Sequence, residues 1–242
     1  MSLRDRDRWE RQAHAWATFT RGPEHDPYAD YAARFFALLP APEGETLEVG
    51  CGEGRVCRDL RSLGYRPIGI DQSETLVGLA QAADPVGRYL IADAAALPFP
   101  DGDFRLVVAY NVLMYLDDLD GAVSEMARVL APGGVLAACV PHPFADAGTF
   151  AAREEDAPFI VAGSYLGRRE FRATGRRNGA VVEFVGWAND LQTYAGALSR
   201  AGLLLETLVE PPATDAMVAR DPAESRWMRI PSFLFIRAVK PG

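Results

Sequence analysis

The stretch Thr46-Leu47-Glu48-Val49-Gly50-Cys51-Gly52-Glu53-Gly54-Arg55 decides how this chain folds. A short apolar run, Leu47 to Val49, reads as a buried strand. Three glycines follow at alternate positions. Val56, Leu60 and Leu63 then fall along one side of a helix. Strand, glycine turn and helix together open a nucleotide-binding βαβ unit. Glycine suits the turn because it takes backbone angles that other residues avoid and lets a ligand lie against the main chain.

The charges in the turn narrow the ligand. A dinucleotide fingerprint, Gly-x-Gly-x-x-Gly, sets a helix N-terminus against a pyrophosphate. Here the spacing is Gly50-x-Gly52-x-Gly54, and position 55 is Arg. Glu48 and Glu53 would repel a pyrophosphate and favour a cation. A nucleoside carrying a sulfonium and an amino group, with no phosphate, fits this loop; S-adenosylmethionine (SAM) is such a ligand. Residues 47–54 resemble motif I of the class I SAM-dependent methyltransferases, in the type 11 or ubiquinone-methyltransferase-like branch. That resemblance implies an α/β fold: a three-layer Rossmann-like sandwich around a mostly parallel seven-stranded sheet.

Composition sets the frame. The chain has 242 residues, 49% of them hydrophobic, enough for one α/β domain over 1–242 with a continuous core. A net charge of -8 makes nucleic acid or an anionic membrane a poor partner. Cys51, Cys57 and Cys139 have neither metal spacing nor disulfide logic, as expected of small buried residues in a reducing cytoplasm. No apolar run approaches the ~18 residues of a membrane span, and no secretory segment opens the chain. The expectation is a cytoplasmic protein without a metal. Its oligomeric state is not legible.

Residues 4–19 read as an amphipathic helix with Trp9, Ala13, Trp16 and Phe19 on one face. It docks on the body or, as in similar methyltransferases, covers the cofactor. With the helix expected over Tyr31 to Leu39, it makes an N-terminal helical segment, 1–40. Between them, residues 20–28 read as a loop broken by Gly and Pro. That loop is either plain surface or a gate over the cofactor carboxylate, with Tyr28 or Arg21 as donor.

Arg66 to Asp71 is the second strand. Asp71 lies 21 residues after Gly50, the position from which a carboxylate accepts hydrogen bonds from ribose hydroxyls. Ser73 caps the next helix, Thr75 to Ala83. Gln72 and Leu76 are placed beside the ribose or adenine. Tyr89 to Asp93 is the third strand, and the resemblance gives Asp93 and the Ala94 amide to adenine. Phe104 to Tyr110, apolar almost throughout, is a central strand buried on both faces. Tyr110 and Asn111 at its end occupy the place where the family holds the methionine amino group. Met114 and Tyr115 line the substrate pocket or pack the core. A helix over Asp118 to Leu130 leads to strand five, Val135 to Val140, and Arg128 to Gly134 matches a late structural motif of the family. The resemblance runs continuously over 46–140.

Beyond Pro141 the pattern loosens. Arg168 to Phe171 and Val181 to Val185 are strand-like, and Asn178-Gly179 is a hairpin signal. Residues 141–189 therefore read as a substrate cap inserted between strands five and six. Phe150, Phe159, Tyr165, Phe171, Phe184 and Trp187 line an apolar pocket or form the cap's own core. A helix over Asp190 to Ala201, with Leu191, Tyr194, Ala195 and Leu198 on one face, precedes strand six, Leu203 to Val209. Pro211 to Arg226 reads as a loop, and Pro231 to Val239 as the antiparallel last strand. Relatives often carry His-Arg-Pro-Leu before that helix; Trp187-Ala188-Asn189-Asp190 stands here.

The activity implied is methyl transfer to oxygen or nitrogen of a small molecule. Such an in-line displacement depends mostly on alignment and water exclusion. A base is needed only when the nucleophile must lose a proton. His142, at a strand's carboxyl end between two prolines, is the leading candidate; Tyr115, Tyr165 and Asp190 are weaker ones. A protein or RNA methyltransferase, and a SAM-binding module without catalysis, are the alternatives.

Overall fold

The computed structural model describes residues 3–242, with side chains from Arg6 onward. Its centre is a seven-stranded sheet in the order β10-β11-β5-β4-β1-β2-β3. The first four strands are β1 (Glu45–Val49), β2 (Arg66–Asp71), β3 (Arg88–Ile91) and β4 (Phe104–Tyr110). They are joined by β5 (Leu130–Pro141), β10 (Leu204–Val209) and β11 (Phe233–Val239). Neighbours from β3 to β5 are parallel, and β11 runs antiparallel to both β5 and β10. The α/β sandwich and its antiparallel last strand are as the sequence led us to expect.

β4 shows why the sheet has three layers. Its side chains alternate between two cores, as strand geometry requires. Val107 and Ala109 pack with α5 (Leu119–Val129) and α6 (Leu191–Arg200). Leu106, Val108 and Tyr110 pack with α2 (Pro27–Phe36), α3 (Arg55–Ser62) and α7 (Asp215–Arg220). A strand buried on both faces cannot alternate apolar with polar, hence its near-continuous apolar sequence. β1 departs in two places: Thr46 and Glu48 are buried among its apolar residues.

Two regions cover the carboxyl end of the sheet. α1 (Leu3–Arg21) is docked through its polar residues. Glu10 accepts hydrogen bonds from the Ser73 and Thr75 hydroxyls at the start of α4 (Glu74–Ala83). Arg8 donates to the Val185 carbonyl, and Gln12 pairs with the backbone of Glu183. Between β5 and β10 lies a long hairpin, β8 (Arg168–Arg177) and β9 (Ala180–Asn189), turned at Asn178-Gly179, both with positive φ. It is preceded by a small pair, β6 (Gly148–Phe150) and β7 (Phe159–Val161).

Three local expectations are corrected. α2 starts at Pro27, not Tyr31, because Asp26 caps it by accepting from the Tyr28 amide and Pro27 occupies the first turn. On α6 the buried stripe is Tyr194, Ala197 and Leu198, while Leu191 and Ala195 are exposed. The segment after Pro211 is not all loop: Thr214 caps α7 through the Met217 amide.

Candidate active site

Between β1 and β4 the strand order reverses, and the crevice that opens at the carboxyl ends of such strands is where α/β sheets bind ligands. A cavity of about 380 Å³ lies there. Twelve of the thirteen residues named from the sequence as cofactor contacts line it: Glu48, Gly50, Cys51, Gly52, Asp71, Gln72, Leu76, Asp93, Ala94, Tyr110, Asn111 and Tyr28. They come from five separate stretches of the chain, and only the fold brings them together.

Gly54 is the exception. Its φ is +83°, and a Cβ there would stand 2.9 Å from both the Ala80 Cβ and the Tyr89 hydroxyl. Its glycine is needed to seat α3 against α4 and β3, so its role is packing. Gly52 is different: its φ is +53°, and a Cβ would meet the Trp16 indole nitrogen at 3.2 Å, beside the cavity.

Two carboxylates of the site are held in place. Asp71 accepts from the Gly52 amide at 2.9 Å and from the Ser73 amide at 2.9 Å. Burial raises its pKa, against those amide hydrogen bonds. Glu48 is fully enclosed, and burial pushes its pKa up to about 8. Glu53 proves different from the sequence reading. It too lines the cavity, but Arg21 (2.5 Å) and Arg58 (2.8 Å) neutralise it. Its charge therefore braces the loop, and Arg21 is committed to it. Of the two donors expected at the gate, Tyr28 lies at the cavity and donates to Asp59 at 2.5 Å.

Arg55 and Arg177 are lining residues that sequence reasoning missed. Arg55 stacks over the Tyr28 ring at 3.9 Å and reaches Asp26. Arg177 comes from the hairpin, reaches Asp26 at 2.9 Å and lies over the Phe19 ring at 4.0 Å. Burial works to raise the Asp26 pKa, but the two guanidiniums and the Tyr28 amide outweigh it and hold it low. The sequence signalled Arg55 by its place directly after the glycine turn; nothing local signals Arg177.

The rest of the wall is apolar. Trp9, Trp16 and Phe19 of α1 line it with Phe184 of β9, Met114 and Tyr115. α1 thus covers the cavity as well as docking. Of the cap aromatics, Phe184 reaches the cavity. Phe150 and Phe159 pack on each other and on Trp227 and Phe144. Trp187 donates to Asp117, and the Leu191 amide donates to the Tyr165 hydroxyl.

His142 does not stand where a base is needed. It is buried outside the cavity lining, although the neighbouring Pro141 is part of it. Its Nδ1 accepts from the Phe144 amide at 3.1 Å, and its Nε2 faces Glu210 at 2.8 Å. Both nitrogens are occupied. Asp190 caps α6, accepting from Thr193, and takes the Gly167 amide. Of the base candidates, Tyr115 lines the cavity.

The residues fit SAM on an observation of their own. The Glu48 Oε2 and the Gln72 Nε2 are buried without a hydrogen-bond partner, and both residues line the cavity. A buried carboxylate oxygen calls for a cationic donor and a buried amide for an acceptor. SAM carries both. Among the described residues, no cluster of His, Cys, Asp and Glu is arranged to hold a metal ion.

Comparison with known proteins agrees with this geometry. Residues 47–138 match the family model of a methyltransferase domain. A malonyl-[acyl-carrier protein] O-methyltransferase of Enterobacter lignolyticus is 32% identical over 133 residues, 53% of each chain. A probable SAM-dependent methyltransferase of Mycolicibacterium smegmatis is 37% identical over 98 residues, 40% of this chain and 38% of that protein. The alignable part thus spans about half the length of such relatives, or less. A SAM-dependent methyltransferase from Mesorhizobium loti superposes with a TM-score of 0.70 at 26% identity, covering 87% of this chain and 97% of that one. Residues 47–138 thus match a methyltransferase domain, set in a fold similar to that of a SAM-dependent methyltransferase.

Proposed function

We propose that this protein transfers the methyl group of SAM to an oxygen or nitrogen of a small molecule held in the same cavity. The observation that carries the reading is the cavity's division into two unlike sides. One side is built from the carboxyl ends of β1, β2 and β4, with its polar groups oriented by the backbone. The other is an apolar wall supplied by α1 and the hairpin.

Bound SAM would supply an electrophilic methyl carbon and a good thioether leaving group. The chain's own residues supply placement. Asp71 presents its carboxylate to the ribose, fixed by the Gly52 and Ser73 amides. Glu48 faces the amino group, with Tyr110 and Asn111 beside it. Asp93 and Ala94 take the adenine, with Gln72 and Leu76 flanking. Residues 141–189 act as a substrate cap within a single domain of 1–242, and the N-terminal segment 1–40 roofs the cofactor. Together they exclude water, so alignment can provide most of the rate.

A second reading comes from the relatives named as malonyl-[acyl-carrier protein] O-methyltransferases. There the acceptor would be a carboxylate on a carrier protein. Arg55 and Arg177, both bonded to Asp26, are the cations at the cavity that would face such a carboxylate.

The test is methyl transfer from labelled SAM into a fractionated cell extract, with S-adenosylhomocysteine (SAH) binding measured by calorimetry. Label in the small-molecule fraction supports the proposal. Label confined to protein or RNA overturns the small-molecule acceptor. Absence of SAH binding overturns the cofactor assignment.

A further inference from the structure

Resting on the reading above, we propose that Arg177 of the hairpin joins Arg55 in holding the α-carboxylate of SAM, so that bound cofactor closes the substrate cap. Closure of the cap then answers to the cofactor, before any acceptor arrives.

A zwitterion needs two partners. The ammonium and the α-carboxylate of SAM are borne by one carbon, so the cation for one must stand close to the anion for the other. Among the described residues that line the cavity, the cations are Arg55 and Arg177. Arg21 and Arg58 are given to Glu53. The other charged lining residues are carboxylates: Asp26, Glu48, Glu53, Asp71 and Asp93. A cofactor carboxylate placed against any of those would lose hydration beside a like charge.

Arg55 stands at the end of the cavity where Glu48 lies. Its guanidinium stacks over the Tyr28 ring at 3.9 Å, and Tyr28 meets Tyr110 edge to face at 5.3 Å. Burial does most to push the Tyr28 pKa up, and after Asp59 the charges felt at its hydroxyl are Arg55 and Glu48. The anion for the ammonium and the cation for the carboxylate are thus near one ring.

Asp26 aims both guanidiniums without using them up. It is fixed as the cap of α2, and one of its oxygens takes Nη1 of Arg55 and Nη2 of Arg177. Arg177 also gives its Nε to the Phe19 carbonyl at 2.8 Å. A guanidinium carries more N–H donors than these bonds use, so both residues keep donors for a carboxylate. The Arg177 side chain is 11% exposed, so solvent screens it little.

Arg177 lies outside residues 47–138, at the end of β8 beside the Asn178-Gly179 turn. A cofactor bonded there binds the closed hairpin better than an open one, and that difference shifts the cap toward closure. The same hairpin carries Phe184 to the apolar wall, where the acceptor would be enclosed.

The probes are SAH and decarboxylated SAH, which keeps the amine and lacks only the carboxylate, titrated by calorimetry into the full-length protein at pH 7. Wild type should bind SAH at least about tenfold more tightly, the span of a charged hydrogen bond. Arg177→Gln and Arg55→Gln should each weaken SAH about tenfold and leave the decarboxylated ligand within about twofold. Hydrogen exchange on wild type needs no variant: SAH should protect the hairpin tip around Asn178, and decarboxylated SAH should not. Equal affinity of wild type for the two ligands, equal losses of both in Arg177→Gln, or equal protection of the tip by both overturns the proposal. SAH affinity indifferent to both substitutions also overturns it, and leaves the two cations to an acceptor carboxylate. If neither ligand binds wild type, the cofactor assignment falls instead, which separates the two failures.

Discussion

Arg177, the last residue of β8, and Asp26, the residue that caps α2, meet at 2.9 Å across 151 positions of sequence. Arg55 reaches the same carboxylate oxygen from the first turn of α3. The tip of the hairpin is thereby tied to the N-terminal segment over the cavity. Asn178 adds to the tie: its amide donates to the Phe19 carbonyl at 2.9 Å and accepts from the Glu24 amide at 2.8 Å.

Breaking that tie should loosen the roof. Asp26→Asn leaves two guanidiniums without their carboxylate and is expected to cost about 1–3 kcal/mol, the usual penalty for charged hydrogen bonds. For a chain of this size each kcal/mol lowers Tm by about 2–4 °C. Hydrogen exchange should rise in the hairpin tip and at the end of α1 together. A rise in only one of them would show that the two are not coupled through Asp26.

Glu48 gives the site a pH dependence of definite sign. Its pKa is pushed up to about 8 in the folded protein, against about 4.3 in an unfolded chain. Between these values the native state holds the extra proton, so this group's contribution to stability declines as pH rises from about 4.3 to 8. Glu48→Gln should therefore raise the Tm of the ligand-free protein more at pH 8 than at pH 5. SAM, whose amino group favours the ionised carboxylate, should bind with proton release near pH 7. Calorimetry in buffers of different ionisation enthalpy measures that release, and Glu48→Gln should abolish it.

The glycines separate by role. Gly54→Ala forces a side chain into a left-handed backbone, costing about 1–2 kcal/mol, and crowds Ala80 and Tyr89, costing about 1–3 kcal/mol more. It should depress Tm while the folded fraction still binds SAH. Gly52→Ala should damage SAH affinity more than stability, because its Cβ enters the space beside Trp16 at the cavity. Paired melting and calorimetric curves compare the two.

Asp71→Ala should reduce SAH affinity about ten- to hundredfold, as expected for losing hydrogen bonds to a charged group worth about 1.5–3 kcal/mol. Unchanged affinity would remove it from the ribose site.

His142→Ala is expected to act on folding. The substitution strands the Phe144 amide and the Glu210 contact, for about 1–3 kcal/mol. The rate of methyl transfer by the folded protein should stay near wild type. A large fall in that rate at unchanged stability would restore His142 as a participant.

Much of this protein was settled locally. The strand, glycine turn and helix of 46–63 need only neighbouring residues: apolar side chains to bury, glycines for positive φ, and a helical stripe. The same holds for the Ser73 cap, the Asn178-Gly179 turn and the fully apolar β4. Twelve of the cofactor candidates line the cavity, most of them because groups at strand ends follow the spacing of the βαβ repeat. What the order of residues could not determine was pairing across long separations. Glu53 reads as a ligand-facing charge until Arg21 and Arg58 are seen to neutralise it. His142 reads as a base until Glu210 and the Phe144 amide occupy its ring. Arg177 has no local mark at all, yet the tertiary structure sets it at the cavity. A side chain's chemistry depends on its charge partners and its hydration, and both are decided by which distant segments the fold brings within a few ångströms.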